Sequence, residues 1–506
     1  MKRFQYLPIF CVFVLLISII SVPSAYALED PATESKAIVL LDAATGNSIY
    51  TKNADERAYP ASLTKVMTTL LAVEAIERGE VSPDDTVTCA ENIHYDTIEE
   101  GSTANIQAGE TMTLKNLLYC AMVASANEAC NAIAAYISGS IPDFIVLMND
   151  RAEELGCTGT HFANTHGLPN TGHYTTAADF AKIAYEAYRH KLFMEICNTV
   201  ETTVPATNMS AERKLGNTNG LINPNSQMYS GYIYEYAAGI KTGHTDDAGY
   251  CLASTAHKDG IDLLCVVMGG KAMESADGTK YSSFTDTIGV YNWAFANYSY
   301  REILKLTDLV EEVPVSMGSN GSFVTVHPKD TVRALIPNDD NLENFEQIIT
   351  IYSERDGQEL VAPVEAYEVL GEIQIVRDGV VCGSSYLVAS STIELSYSEY
   401  IGHKIANTLK NPLVILFIVV VLALIIGYIY LLLRYRKSKK EYLKARKRRI
   451  EEARIRAERQ ARQSNPVRDP RRGAARLDQD GRTETWPENT GGQAERDYFD
   501  EFFGKK

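Results

Sequence analysis

Between Leu413 and Leu433 the chain runs for 21 residues without a charge, LVILFIVVVLALIIGYIYLLL. An α-helix rises about 1.5 Å per residue, so roughly 20 apolar residues cross the ~30 Å hydrocarbon layer with every backbone group bonded internally. Such a run divides the chain: the residues before it and the residues after it must fold separately, on opposite sides of a bilayer. Tyr428 and Tyr430 suit the membrane interface, and Arg434, Arg436, Lys437, Lys439 and Lys440 come directly after. Basic flanks stay in the cytoplasm, which predicts that this end of the span faces inward. The other end of the chain agrees. Lys2 and Arg3, the apolar stretch Leu7 to Ile20 and the small-x-small site Ala25-Tyr26-Ala27 read as a secretory signal. The expected organisation is a signal over 1–27, an extracytoplasmic part over 28–412, a single span over 413–433 and a cytoplasmic tail over 434–506.

Charge obeys the same division. The net charge is −17, yet residues 434–506 carry 22 Lys and Arg against 13 Asp and Glu, and the preceding residues carry 26 against 52. An acidic exported body excludes nucleic acid as its partner. Residues 434–463 read as a basic helix beside the anionic inner leaflet. Residues 464–506, rich in Pro, Gly, Asp and Arg, read as disordered, and the closing YFDEFF (Tyr498 to Phe503) is a candidate docking peptide for a cytoplasmic partner. Cys11 belongs to the signal. The other eight cysteines form no CxxC and no Cys/His set with zinc spacing, so neither a metal nor a cofactor is expected. Several sit in apolar runs, as Cys265 does in LLCVVM, and read as small buried hydrophobes; a few disulfides are open to an exported protein.

The exported part begins with a hairpin signal, KAIVLLDA and NSIYTKN flanking Ala44-Thr45-Gly46. Helical patterns start after Ser62 and cover Leu114 to Ile137 and Phe144 to Leu155. Strand-like runs occupy Ala248 to His257 and Ile261 to Met268, and Thr285 to Tyr298 reads as a closing helix. The expected class is α+β, an antiparallel sheet flanked by helices over 28–304. Short strand-like runs from Val310 to Leu395 predict a small all-β domain over 305–397, joined to the span by a juxtamembrane linker over 398–412.

Three short motifs stand in order in the first of these domains. Ser62-Leu63-Thr64-Lys65 puts an amine one helical turn from a hydroxyl, where it can take the hydroxyl proton and make the serine a nucleophile. Ser125-Ala126-Asn127 lies inside the apolar run AMVASANEACNAIAAY. There Ser125 offers a hydroxyl for proton relay, and Asn127 an amide that both donates and accepts. Lys241-Thr242-Gly243, with His244 next, combines a charge, a hydroxyl and a glycine that lets an extended peptide approach. Each motif alone is weak. As a set they are specific: the second comes 63 residues after the first and the third another 116 residues on.

Such a triplet is the signature of penicillin-binding proteins and β-lactamases. The chain resembles the low-molecular-mass D-alanyl-D-alanine carboxypeptidases beyond the triplet as well. Tyr59-Pro60-Ala61, HFANTHGLPNTGHYTTAADFAKIA (His161 to Ala184), GIKTGHTDDAGYCLASTA (Gly239 to Ala256) and GEIQIVRDGVVCGSSYLVA carry the likeness, over about residues 30–395. The resemblance implies a transpeptidase-like catalytic domain with a β-rich domain behind it. It also implies removal of the terminal D-alanine from peptidoglycan pentapeptide stems, and β-lactam antibiotics as inhibitors. Residue by residue it implies Ser62 as acylated nucleophile, Lys65 as base, Ser125 and Asn127 as a second wall, and Lys241, Thr242 and Gly243 as a third. The backbone N–H groups of Ser62 and His244 form the implied oxyanion hole.

Two departures stand out. The family's arginine for the terminal carboxylate is missing from Gly269 to Asp286, which leaves Lys280, or else Lys271, as its replacement. A full span with a long tail also replaces the amphipathic anchor common in the family. His161, His166, His173 and Asp179 read as structural. Three rivals remain at this level. A class A-like β-lactamase would need a deacylating glutamate, and none lies between Asn164 and Tyr174, while Glu153 and Glu154 end a helix. A non-catalytic cell-wall peptide sensor would not need a nucleophile. A transpeptidase cannot be separated from a carboxypeptidase by sequence.

Overall fold

The computed structural model describes residues 28–463 apart from 99, 100, 277 and 378. The signal over 1–27 and the tail beyond 463 lie outside the described residues. The chain divides into two compact units, one ending at Glu394 and the other beginning at Leu395.

A five-stranded antiparallel sheet forms the frame of the first unit. Its strands are β1 (Ala37–Asp42), β2 (Ser48–Lys52), β3 (Ala237–Thr245), β4 (Gly249–Lys258) and β5 (Ile261–Gly270), in the order β2-β1-β5-β4-β3. The hairpin at Ala44-Thr45-Gly46 is present, and the Asp42 carboxylate ties it by accepting from the Ala44 N–H and the Thr45 hydroxyl. All six residues of β1 are buried, a pattern that needs both faces of the sheet covered. Val39, Leu41, Leu264, Val266 and Met268 face a core built with α1 (Lys65–Glu77), α2 (Leu114–Met122) and α3 (Asn127–Ser138). Ile38, Leu40, Leu263, Cys265 and Val267 face the opposite way, against Val290, Tyr291 and Ala294 of α4 (Ser282–Asn297). Successive strand residues point to opposite faces, so a continuous apolar run is what a sheet sandwiched between helices requires.

The second sheet of this unit joins Glu311–Pro314, Phe323–Pro328, Val380–Ala389, Val369–Arg377 and Glu346–Ile351, in that spatial order. Tyr298–Leu304 pairs separately with Val332–Pro337. Seven cysteines, Cys89, Cys120, Cys130, Cys157, Cys197, Cys251 and Cys265, are buried as free thiols; they act as small core residues.

Three elements differ from the sequence reading. The pattern from Leu114 to Ile137 is two helices, α2 and α3, because Ser125 takes a positive φ of 60° between them. Ser62 does not open an α-helix but lies in a 3₁₀ turn, Ala61–Thr64, that feeds α1. In the second unit the expected linker is a helix, Tyr397–Lys410, with Ile401, Ile405 and Leu409 at helical spacing along one side. A second helix, Pro412–Gln463, runs unbroken through the apolar stretch and the basic stretch after it. Its first part is long and apolar enough to cross a membrane.

Candidate active site

The Ser62 turn is held unusually tightly by its backbone. Ala61 has a φ of 46°, a conformation that costs a side-chain-bearing residue on the order of 1–3 kcal/mol and persists only where the surroundings impose it. Those surroundings are two glycines. A Cβ on Gly167 would lie 1.8 Å from the Ala61 carbonyl oxygen, and Gly167 itself has a φ of 94°. A Cβ on Gly243 would lie 3.1 Å from the Ser62 nitrogen. No side chain fits at the first position, and one is tight at the second, so strand β3 and the loop around Gly167 press directly on the turn.

The 3₁₀ turn stacks residues three apart, which brings Lys65 back over Ser62. The Lys65 Nζ lies 2.8 Å from Ser62 Oγ, 2.8 Å from Asn127 Oδ1 and 2.8 Å from the His166 carbonyl. Three acceptors satisfy the three ammonium hydrogens. Lys65 has no exposed surface, and burial brings its pKa down to about 8. Deprotonated, the same amine keeps two donors for Asn127 and His166 and turns its lone pair toward the Ser62 hydroxyl.

The break between α2 and α3 delivers the second motif. Ser125 is buried at the break and Asn127 opens α3. The third motif lies on β3, the last strand in the sheet order, with Gly243 facing the Ser62 turn. Lys241 is buried, donates to the Thr242 carbonyl at 3.1 Å, and has its pKa pushed well down by burial and by neighbouring Lys65. The Thr242 and Thr218 hydroxyls are 2.6 Å apart. The His244 ring stacks on Tyr250 at 4.1 Å between centroids, its cross-strand partner in the β3–β4 register. The imidazole is thereby engaged with a ring while the backbone remains at the strand edge.

Ser62, Lys65 and Asn127 are thus joined by hydrogen bonds, and Gly243 abuts their turn. Lys280 stands apart. It is exposed on the hairpin Ala272–Ser275 and Gly278–Tyr281, opposite Met273, and no hydrogen bond or ion pair ties it to the cluster. Lys271 lies 3.8 Å from Glu34, with both side chains exposed.

The histidine-rich stretch does more than its residues read singly. His166 lends its carbonyl to Lys65, and its buried ring is held neutral by burial and by the nearby lysine, its pKa brought down to about 3. Burial likewise holds His173 neutral, down to about 3. Asp179 accepts from the Gly159 N–H and the Thr160 hydroxyl, a structural role. Asn131 donates to the Ile93 and Tyr95 carbonyls and accepts from Thr165. Buried Glu128 accepts from Thr103 and from the Ala104 N–H. Asn131 and Glu128 thereby pin the segments around Ile93 and Tyr95 and around Thr103 and Ala104, and sequence reading passed over both; a buried Asn and Glu in an apolar helix was the available signal. Glu74, Glu186 and His190 also bring ligand atoms together. Arg151 already spans that group, at 2.7 Å from Glu74 and 3.0 Å from Glu186, and Arg189 pairs with Glu186 as well, so cationic side chains already offset its charge.

Comparison with known proteins meets this geometry. The family model for D-alanyl-D-alanine carboxypeptidases matches residues 24–272. D-alanyl-D-alanine carboxypeptidase DacF of Bacillus subtilis is 31% identical over 380 residues, 74% of this chain and 90% of that protein. DacA of Escherichia coli is 29% identical over 362 residues, 69% of this chain and 81% of that protein. Among solved structures, penicillin binding protein 5 from Haemophilus influenzae superposes with a TM-score of 0.57 at 25% identity, over 73% of this chain and all of that one. The Streptococcus pneumoniae protein PBP3 shares the fold with a TM-score of 0.58 at 23% identity, over 72% of this chain and all of that one.

Proposed function

The chain belongs to the D-alanyl-D-alanine carboxypeptidase family, serine hydrolases, and from that premise we propose that it removes the terminal D-alanine from peptidoglycan pentapeptide stems through an acyl-enzyme on Ser62. The observation that carries the reading is the buried Lys65 amine, 2.8 Å from Ser62 Oγ, with its pKa lowered to about 8. A lysine at its ordinary pKa would be a poor base near neutrality; one near 8 is neutral in a useful fraction of molecules.

In the proposed reaction the neutral Lys65 amine takes the Ser62 proton as Oγ attacks the carbonyl between the two D-alanines. Negative charge gathers on that carbonyl oxygen, where the Ser62 and His244 backbone N–H groups receive it. Asn127 and the His166 carbonyl hold the resulting ammonium. Collapse breaks the peptide bond. The Ser125 hydroxyl hands a proton to the departing amine and is replenished from Lys65. Free D-alanine leaves, and Ser62 carries the ester. Water then attacks the ester, giving a proton to Lys65; the bond to Ser62 Oγ breaks, Lys65 returns the proton to Oγ, and the shortened stem departs. A β-lactam presents the same carbonyl within a ring, so its acyl group stays attached and the enzyme is inhibited.

The substrate backbone lies along the free edge of β3, as an added strand. Lys241, Thr242 and Gly243 line it, and the carboxylate of the last D-alanine is drawn by Lys241 and Thr242, with Lys280 the outer cation that replaces the family's arginine. The proposed setting is extracytoplasmic, with the helix from Pro412 crossing the membrane and the tail in the cytoplasm.

The test measures D-alanine release from a peptide ending in D-Ala-D-Ala and from its C-terminal amide. Wild type should release D-alanine from the acid, and Lys280→Ala should lose roughly ten- to a hundredfold on the acid while hardly changing on the amide, since a charge-assisted bond is worth ~1.5–3 kcal/mol. No release from the acid by wild type sinks the activity. Equal effects on both substrates, or none, remove Lys280 from the carboxylate site.

A further inference from the structure

The Ser62 turn has a support that the three motifs leave out. His173 Nδ1 accepts the Ala163 N–H at 3.0 Å, so the ring hydrogen must sit on Nε2. Nε2 lies 2.7 Å from Thr64 Oγ1, and the Thr64 hydroxyl donates to the Ala61 carbonyl at 2.8 Å. The three bonds run in one direction: imidazole N–H to hydroxyl oxygen, hydroxyl hydrogen to carbonyl. His173 and Thr64 are both buried, so water does not compete for either.

The end of this relay decides its use. A trans peptide is planar, and its C=O and N–H point in opposite directions. The Ala61 carbonyl and the Ser62 N–H belong to the same peptide. Drawing the carbonyl inward, onto Thr64, turns the Ser62 N–H outward. The left-handed Ala61 and the bare Gly167 beneath its carbonyl permit that orientation; the relay selects it. We propose that His173, acting through Thr64, is a positioning residue that aims the Ser62 N–H at the substrate carbonyl oxygen. The inference rests on the acyl-enzyme reading of Ser62 and adds to it two residues that touch neither substrate nor nucleophile. The same loop then holds the turn at two adjacent residues, His166 through its carbonyl on Lys65 and His173 through its ring on Thr64.

Thr64→Val removes the hydroxyl with little change of shape, and Thr64→Ser restores it. The full-length protein in detergent is measured for the acylation rate by a β-lactam at saturation, for the concentration giving half that rate, and for thermal stability. Losing one oxyanion donor typically costs about 10²–10³-fold. A misaimed donor should therefore slow Thr64→Val and His173→Ala by about 10²-fold at saturation, with the half-saturating concentration within about threefold of wild type. Thr64→Ser should recover most of the rate. Because the two residues act in series, the double variant should be no slower than the worse single one. Wild-type acylation by Thr64→Val, equal losses in Thr64→Ser and Thr64→Val, or losses that multiply in the double variant overturn the relay. If Thr64→Val does not fold, the saturating rate of His173→Ala decides alone. A wild-type protein that is not acylated at all refutes the Ser62 reading instead, so the two failures are told apart.

Discussion

Lys65 carries the chemistry at the scale of a single residue, and its environment predicts a pH profile. Burial disfavours the ammonium and brings its pKa to about 8, against the opposing pull of nearby Glu128, and Asn127 and His166 accept from the amine. The base must be neutral to accept a proton. Acylation should therefore rise about tenfold per pH unit below 8 and level off above it. Stopped-flow acylation between pH 6 and 9.5 checks this; a flat profile removes Lys65 as the titrating base. Lys65→Ala should lose at least the ~10²–10⁴-fold that general-base help is worth while remaining folded by circular dichroism. Unchanged acylation in the folded variant would reduce the lysine to a core residue.

Elements deliver these residues, and at this scale the sequence was readable only in part. The hairpin at the start, the paired strands β4 and β5 and the closing helix could be read because their apolar runs and turn residues are local. The spacing of the three motifs was legible too, since each is contiguous. The break after α2 was not. AMVASANEACNAIAAY carries no Gly or Pro, and Ser125 is forced to a positive φ by tertiary packing rather than by its own preference. The Ala61–Thr64 turn escaped for the same reason. Its shape depends on Gly167 and Gly243, more than 100 residues away in sequence, and His173 reaches Thr64 from a loop whose histidines looked merely structural. The missing arginine was visible as an absence, but a lysine on a hairpin cannot be located by sequence. Contact between β3 and the turn yields a direct prediction. Gly243→Ala would place a methyl 3.1 Å from the Ser62 nitrogen and 3.2 Å from the Leu63 nitrogen. Over-packing of this kind costs ~1–3 kcal/mol, and acylation should fall more than tenfold. Unaltered stability and rate in Gly243→Ala would mean that strand and turn do not press on one another.

Over the whole molecule, two buried neutral histidines set the response to acid. His166 and His173 resist protonation down to about 3 when folded but bind protons near 6.5 once unfolded. Between those values the unfolded chain holds more protons, so stability falls as pH drops through 6.5 toward 3. Chemical denaturation should give a clearly lower midpoint at pH 5 than at pH 7.5, with part of that difference absent in His173→Gln; equal midpoints in the wild type contradict the burial of neutral imidazoles. The proposed topology predicts that protease added to intact spheroplasts digests epitopes within 28–400 and spares one placed after residue 465, and the reverse pattern refutes it. Covalent chemistry at Ser62 can be mapped to the residue. The full-length protein is incubated with penicillin, digested and mapped by mass spectrometry. A single penicilloyl adduct is expected on the peptide containing Ser62, lost in Ser62→Ala; an adduct on another peptide, or full labelling of Ser62→Ala, contradicts acylation at Ser62.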